Sequence, residues 1–239
     1  MRRFVDLHLR QPAAVDELEG MLRFAAELGY SGVAVASERK PPEELRRLCR
    51  ELGIDLISRV DLRPRSARDL TASLRRVRRR FEVVAVDCRS KAVARQAAKD
   101  HRVDLLDFPA SPSARAKVWF DRQEASLASG ANCAHEINTS DFLRLGPTAG
   151  AKLLSIIRRE VENAERHGVP VVLSSGADSR LLMREPRALA ALLDLVGVGE
   201  EEGLAMVSSV PWRMVEVNRG KLAKGFIAPG VRVVEPDAC

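Results

Sequence analysis

The sequence predicts an α/β fold: a single TIM-barrel-like (β/α)8 domain with parallel strands, covering residues 1–239. Three observations carry this reading. Short runs rich in Val, Ile and Leu alternate with amphipathic segments almost throughout, and βαβ order implies parallel pairing because each helix returns the chain across the sheet. Eight such runs fit into 239 residues, close to the usual size of a closed (β/α)8 barrel. No linker or low-complexity tract interrupts the pattern.

The predicted strands are Phe4–Leu9, Gly32–Ser37, Ile54–Val60, Val83–Asp87, Asp104–Phe108, Cys133–Ile137, Pro170–Ser174 and Leu204–Ser208. They are short and apolar, as strands buried on both faces should be. Helical periodicity covers 15–28, 42–52, 66–80, 90–100, 148–167 and 186–196, with a last helix near 211–220. Gly29, Gly53 and Gly168 stand where a helix end favours a left-handed residue. Pro41-Pro42 opens a helix where a missing N–H costs little. The weakest stretch is 110–131, in which a short helix near 121–129 is expected.

Composition excludes several classes. With 46% hydrophobic residues, a chain of this length buries a core without staples. No run approaches the roughly 18 apolar residues of a membrane span, and Met1-Arg2-Arg3-Phe4-Val5-Asp6 turns acidic too soon for a signal peptide. A cytoplasmic location is expected. Cys49, Cys88, Cys133 and Cys239 lie far apart without a CxxC, which favours reduced, unreactive thiols over a zinc cluster or disulfide framework.

The charge is concentrated. Residues 63–102 hold 13 Lys and Arg against 4 Asp and Glu, whereas the remainder holds 26 against 29. In helix 66–80, Ala67, Leu70, Leu74 and Val77 form the buried face, and Arg68, Arg75 and Arg79 fall together on the opposite side. In helix 90–100, Val93, Ala94 and Ala97 face inward while Lys91, Arg95 and Lys99 make an outward stripe. Arg89 and Arg102 flank that helix. Surface helices are normally charged, but that does not account for such an excess of one sign, which points to nucleic acid or an acidic partner. Only ten residues are Phe, Trp or Tyr, too few for base-stacking platforms. The expected contact is with phosphates and folded RNA shape.

Barrel enzymes place catalytic groups at the C-terminal ends of the strands. The first strand ends in Asp6-Leu7-His8-Leu9-Arg10, where a metal-dependent phosphoesterase barrel would show His-x-His. Here Asp stands first, and Arg10 adds a cation beside the would-be site. His101 and His167 fall on the wrong rim, and His135 lies within the sixth strand beside Glu136. Asp61, Asp87 and Asp107 sit near strand ends, but a two-metal centre recruits several His and carboxylates together. No catalytic and no metal-ligating residue is assigned. Ser174-Ser175-Gly176-Ala177 lies where many barrels bind phosphate. It lacks the His that a nucleophilic serine needs, and reads as a tight βα turn.

Several stretches follow one another in a telling order. They are Phe4-Val5-Asp6-Leu7, Arg59-Val60-Asp61-Leu62, Val86–Arg95, the run Asp100–Pro109, Glu136-Ile137, Val169–Ala177, Met183-Arg184-Glu185-Pro186, Asn218-Arg219-Gly220-Lys221-Leu222 and Pro229-Gly230-Val231. Together they resemble the ribonuclease P protein component 3 family of archaea and its eukaryotic nuclear counterpart, over essentially the whole chain. The resemblance implies a degenerate relative of the metallohydrolase barrels that has lost its metal ligands. It implies a subunit of the endoribonuclease that removes the 5′ leader of precursor tRNA, with the chain itself non-catalytic. The implied partners are ribonuclease P RNA, a small RRM-like subunit and other ribonuclease P proteins, with precursor tRNA met indirectly and no membrane. The chain itself is expected to bind no cofactor, Mg2+ being required by the RNA. Arg184, Arg219 and Lys221 are expected to contact phosphate, from this match and from a place at the phosphate-binding rim. Two alternatives stay open: a phosphoesterase using Asp6, His8 and Glu136, and a protein scaffold whose basic face meets an acidic partner.

Overall fold

The computed structural model describes residues 2–12, 14–131, 133–228 and 231–232. Seven strands form one all-parallel sheet in sequence order: β1 (Val5–Arg10), β2 (Gly32–Ala36), β3 (Asp55–Leu62), β4 (Val83–Asp87), β5 (Leu105–Asp107), β6 (Ala134–Asn138) and β7 (Val171–Ser174). The intervening helices are α1 (Val15–Glu27), α2 (Glu43–Glu51), α3 (Ala67–Val77), α4 (Lys91–Ala98), α5 (Pro112–Arg115), α6 (Arg122–Ala131), α7 (Thr139–Leu143) and α8 (Pro147–Arg166). After β7 come α9 (Pro186–Leu192), α10 (Glu200–Met206), α11 (Ser209–Leu222) and a short antiparallel hairpin, β8 (Phe226–Ala228) with β9 (Val231–Arg232). The fold is TIM-barrel-like and nearly closed. Pro229, Gly230 and Cys239, named above, lie outside the described residues.

The expected eighth strand, Leu204–Ser208, is not a strand. Its residues end α10 and turn into α11. Leu204-Ala205-Met206 are strong helix formers, Glu200, Glu201 and Glu202 occupy the first turn, and a short apolar run alone cannot separate buried helix from buried strand. Gly203 lets α10 approach α9 closely, since a Cβ there would lie 3.1 Å from the Ala190 carbonyl oxygen. Closure is therefore made by β1 and β7 directly. Leu9 bridges Ala177, Arg10 N–H donates to the Ala177 carbonyl at 2.8 Å, and Val5 N–H turns to the Val207 carbonyl at 2.9 Å. The expected helix 186–196 also divides, into α9 and a 3-10 turn over Leu193–Val196.

Strand alternation splits the core. Val5, Leu7, Ala34, Ile57, Val83, Ala85, Leu105, Ala134 and Val172 point into the barrel, and Val215 of α11 closes its N-terminal end. Asn218 fixes α11 there, donating to the Glu82 carbonyl and to Asp104 Oδ1 at 2.9 and 2.8 Å. Outward strand residues meet the helices; Leu70 and Leu74 of α3 are fully buried, each stabilising by about 1.5–3 kcal/mol. Ser66 and Ser90 cap α3 and α4, accepting from the amides of Asp69 and Val93.

The weak stretch 110–131 is held by charge. Buried Arg115 donates to Glu160 of α8 through Nε and Nη2, the latter at 2.6 Å, and to the Phe108 carbonyl. Glu160 also accepts from Phe120 N–H at 3.1 Å, and the Phe120 ring stacks on His135 at 4.7 Å. Cys49, Cys88 and Cys133 are buried free thiols, which burial pushes upward in pKa, Cys49 to about 11. Among the described residues no helix is long and apolar enough to cross a membrane.

Candidate functional site

The same alternation builds a polar layer above the apolar barrel floor. Arg59 and Asp61 follow Ile57 inward on β3, Asp107 follows Leu105 on β5, Glu136 and Asn138 follow Ala134 on β6, and Ser174 follows Val172 on β7. Arg59 sits at the centre with 0% of its side chain exposed. Its Nη1 and Nη2 donate to the two Glu136 carboxylate oxygens, each at 2.6 Å. Nε donates to Asp61 Oδ1 at 2.7 Å, and Nη1 also reaches the Leu7 carbonyl at 2.7 Å. His8 Nδ1 lies 2.8 Å from Asn138 Oδ1. Its Nε2 lies 3.0 Å from Asp61 Oδ2, an ionic contact out of line for a hydrogen bond. Arg10 closes the rim on Asp141 at 3.0 Å, and Asn138 donates to Asp107 at 3.1 Å.

Electrostatics follow from these contacts. Burial and Arg59 push the His8 imidazole toward neutrality, but Asp61 and Glu136 outweigh them and raise its pKa. Burial opposes ionisation of Asp61 and Glu136, yet Arg59 and His8 hold both below the usual carboxylate range. Asp107 has no guanidinium against it: burial, then the charges of Glu136 and Asp141, outweigh His8 and raise it to about 7. The cations Arg10, Arg59 and His8 thus match Asp61, Glu136 and Asp141, and Asp107 is the spare acid.

His8, Asp107 and Glu136 each bring a donor atom within 4.8 Å of the others, the spacing of a metal site. The residues do not fit one. Both Glu136 oxygens already accept from Arg59, and Oε1 accepts from Ser174 Oγ at 2.8 Å as well. A divalent ion bound there would press against a buried guanidinium. Asp6 does not join the cluster. Its Oδ1 accepts from the amides of His8 and Ser175 at 3.0 and 3.1 Å, and burial raises its pKa, so it seams β1 to β7. The turn after β7 is as tight as expected. Gly176 has φ 60°, and a Cβ there would meet Ser140 Oγ at 2.7 Å and Asn138 Cβ at 2.8 Å.

A sequence model described as RNase P subunit p30 matches residues 3–222. The chain belongs to the RNase P subunit p30 family. Among relatives of this p30-family chain, ribonuclease P protein component 3 of Methanosarcina mazei is 29% identical over 223 residues, covering 93% of this chain and 90% of the relative. That of Methanothermobacter thermautotrophicus is 26% identical over 241 residues, covering 98% and 96%. A chain in the cryo-EM structure of archaeal ribonuclease P with mature tRNA matches with a TM-score of 0.82 at 19% identity, covering 98% of this chain and 99% of that one. A prolidase structure matches with a TM-score of 0.59 at 13% identity, covering 97% and 78%, a likeness of fold alone.

The basic residues singled out above divide in two. Arg68 and Arg75 are exposed along α3, but the expected helix 66–80 ends at Val77 and Arg79 is exposed in the turn that follows it, as Lys99 follows α4; among the described residues none of the four has an ion pair or side-chain hydrogen bond. Arg95 is 44% exposed, with Glu124 at 3.6 Å. The others are already engaged. Lys91 is not part of an outward stripe: its Nζ donates to the Trp119 carbonyl, Asp121 and Glu124 at 2.8, 2.7 and 3.1 Å. Arg89 pairs with Asp87 at 2.7 Å, and Arg102 with both oxygens of Asp100.

Arg219 is not at the C-terminal rim. It grips Asp55 and Glu82, which precede or open β3 and β4, at 2.5–2.9 Å. Lys221 donates to Asn218 Oδ1 at 3.2 Å. Arg184 donates to the carbonyls of Leu181 and Met183, while its own carbonyl accepts from Tyr30, between α1 and β2. Arg219 and Lys221 lie away from that rim because α11 crosses beneath the barrel instead of following an eighth strand. Arg59 was the residue that sequence reasoning passed over. Its signal was an arginine at an inward position of an apolar strand, where a charge must find a partner.

Proposed function

We propose that this ribonuclease P subunit binds the ribonuclease P RNA through the exposed face of α3 and the adjoining edge of α4. The observation that carries the reading is the cation set Arg68, Arg75, Arg79 and Lys99, unpaired among the described residues, with Arg95 beside it. Arg68 to Arg75 spans about 10 Å of helix axis, with Arg79 in the turn just beyond, enough to meet several phosphates in succession. With few aromatic rings on the chain, recognition is of phosphate geometry rather than of bases. The chain acts in the cytoplasm beside a small RRM-like subunit and other ribonuclease P proteins, and meets precursor tRNA only through the assembly. The RNA, with its own Mg2+, carries out the endonucleolytic hydrolysis that releases the 5′ leader. The chain binds no cofactor, and its arginines offset phosphate repulsion that Mg2+ would otherwise screen. The mouth does not favour a phosphoesterase, because Arg59 occupies the carboxylates such chemistry needs.

The test is reconstitution of leader cleavage across a Mg2+ titration. Wild-type chain with its partner subunit lowers the Mg2+ requirement, and a chain carrying Arg68→Glu, Arg75→Glu and Arg79→Glu does so poorly. A folded triple variant that restores full activity at limiting Mg2+ would reject the assignment. An acidic protein partner bound equally well by wild type and unaffected by RNA would favour the scaffold alternative.

A further inference from the structure

We propose that Arg59 is a built-in substitute for a metal ion, and that the barrel mouth is a latent divalent-cation site which this chain keeps filled with its own guanidinium. Groups from four strands converge there: His8 from β1, Asp107 from β5 and Glu136 from β6 each bring a donor atom within 4.8 Å of the others, and Asp61 from β3 lies 3.0 Å from His8. A surface ion pair joins two residues and needs no such frame. Here one cation receives both oxygens of Glu136, one of Asp61 and a backbone carbonyl, all at 2.6–2.7 Å. That is a coordination sphere built around a fork of N–H donors instead of an ion.

The donor set left when the guanidinium is removed has a definite chemistry. One imidazole and two or three carboxylates suit Zn2+, Co2+ or Mn2+, and offer no thiolate for softer ions. His8, Asp61, Asp107 and Asp141 line a cleft of about 1440 Å³ at the mouth, with Arg59 and Glu136 buried behind them. Arg59→Ala therefore vacates the centre and leaves Asp61 and Glu136 without their main counter-charge. Arg59→Lys keeps a cation there and should keep the site shut. The site does not depend on RNA binding, since none of Arg68, Arg75, Arg79 and Lys99 lines the cleft.

The experiment titrates metal-free wild type, Arg59→Ala, Arg59→Lys and the double variant Arg59→Ala/His8→Ala with Co2+, following d–d absorption, with calorimetry for stoichiometry. The expected result is one ion in Arg59→Ala, bound at least 100-fold more tightly than by wild type or Arg59→Lys, with absorption that the double variant loses. If Arg59→Ala does not fold alone, Co2+ or Zn2+ should restore its circular dichroism, and failure to do so overturns the proposal. It is equally overturned by a folded Arg59→Ala that binds no metal, or by wild type binding as tightly as the variant.

Discussion

Reversal of Arg68, Arg75 and Arg79 to Glu separates RNA contact from ordinary surface charge. All three residues are exposed, Arg68 and Arg75 on one face of α3 and Arg79 in the turn after it, and they have no carboxylate partner among the described residues. Each phosphate contact releases counterions and contributes roughly 0.7–0.9 to the downward slope of log K against log salt. Losing three contacts therefore flattens the slope by about 2 units or more. Between 50 and 200 mM salt, the wild type should lose about 20- to 40-fold more affinity than the variant. Folding is a clean control, because exposed substitutions of this kind change stability by only about 0.5 kcal/mol. The assay is fluorescence anisotropy of labelled ribonuclease P RNA over a KCl series, with circular dichroism on each protein. Gln at Arg89, Arg102 and Arg219 is the matched comparison: their charges are already met by Asp87, Asp100, Asp55 and Glu82, so the slope should move by less than about one unit. An unchanged slope in the α3 variant, or a larger change in the matched set, would refute the reasoning.

Three further outcomes follow from buried groups. Arg115→Ala leaves Glu160 without its partner and frees the 108–121 segment, costing about 3–5 kcal/mol in urea unfolding; a loss below 1 kcal/mol would mean that this pair does not anchor the segment. Gly176→Ala combines a left-handed backbone, about 1–2 kcal/mol, with a clash against Ser140 and Asn138 of about 1–3 kcal/mol, so a melting temperature near wild type would contradict the turn geometry. Asp107 holds a proton to about pH 7 in the folded chain but releases it near pH 4 when unfolded. Its contribution to stability therefore falls as pH rises from about 4 through 7. Asp107→Asn should remove that decline between pH 5 and pH 8, and an equal decline in the variant would assign it elsewhere.

Much of this architecture was legible in local patterns. Seven strands fall within a few residues of their apolar runs, Ser66 and Ser90 cap their helices, and Leu70 and Leu74 mark the buried side of α3 with Arg68 and Arg75 opposite. The Asp6-Leu7-His8 sequence told against a paired-histidine metal site, and the structure turns Asp6 to a backbone seam. The eighth strand failed where periodicity is weakest, in an apolar run too short to distinguish helix from strand.

By itself, the sequence determined most of the βα alternation, the buried faces of α3 and α4 and the concentration of positive charge in residues 63–102. Those properties depend on neighbours within a turn or two of chain. Only the tertiary structure decided which charges are free. Arg59 meets Glu136 across 77 residues of sequence, Lys91 meets Glu124 across 33, and Arg219 meets Asp55 across 164. A side-chain period states which face a residue occupies; the partner on that face is set by strand order, by register and by the course of α11 under the barrel. An arginine paired at 2.6 Å and one open to phosphate look alike in sequence, because the carboxylate that distinguishes them arrives from a distant strand or helix.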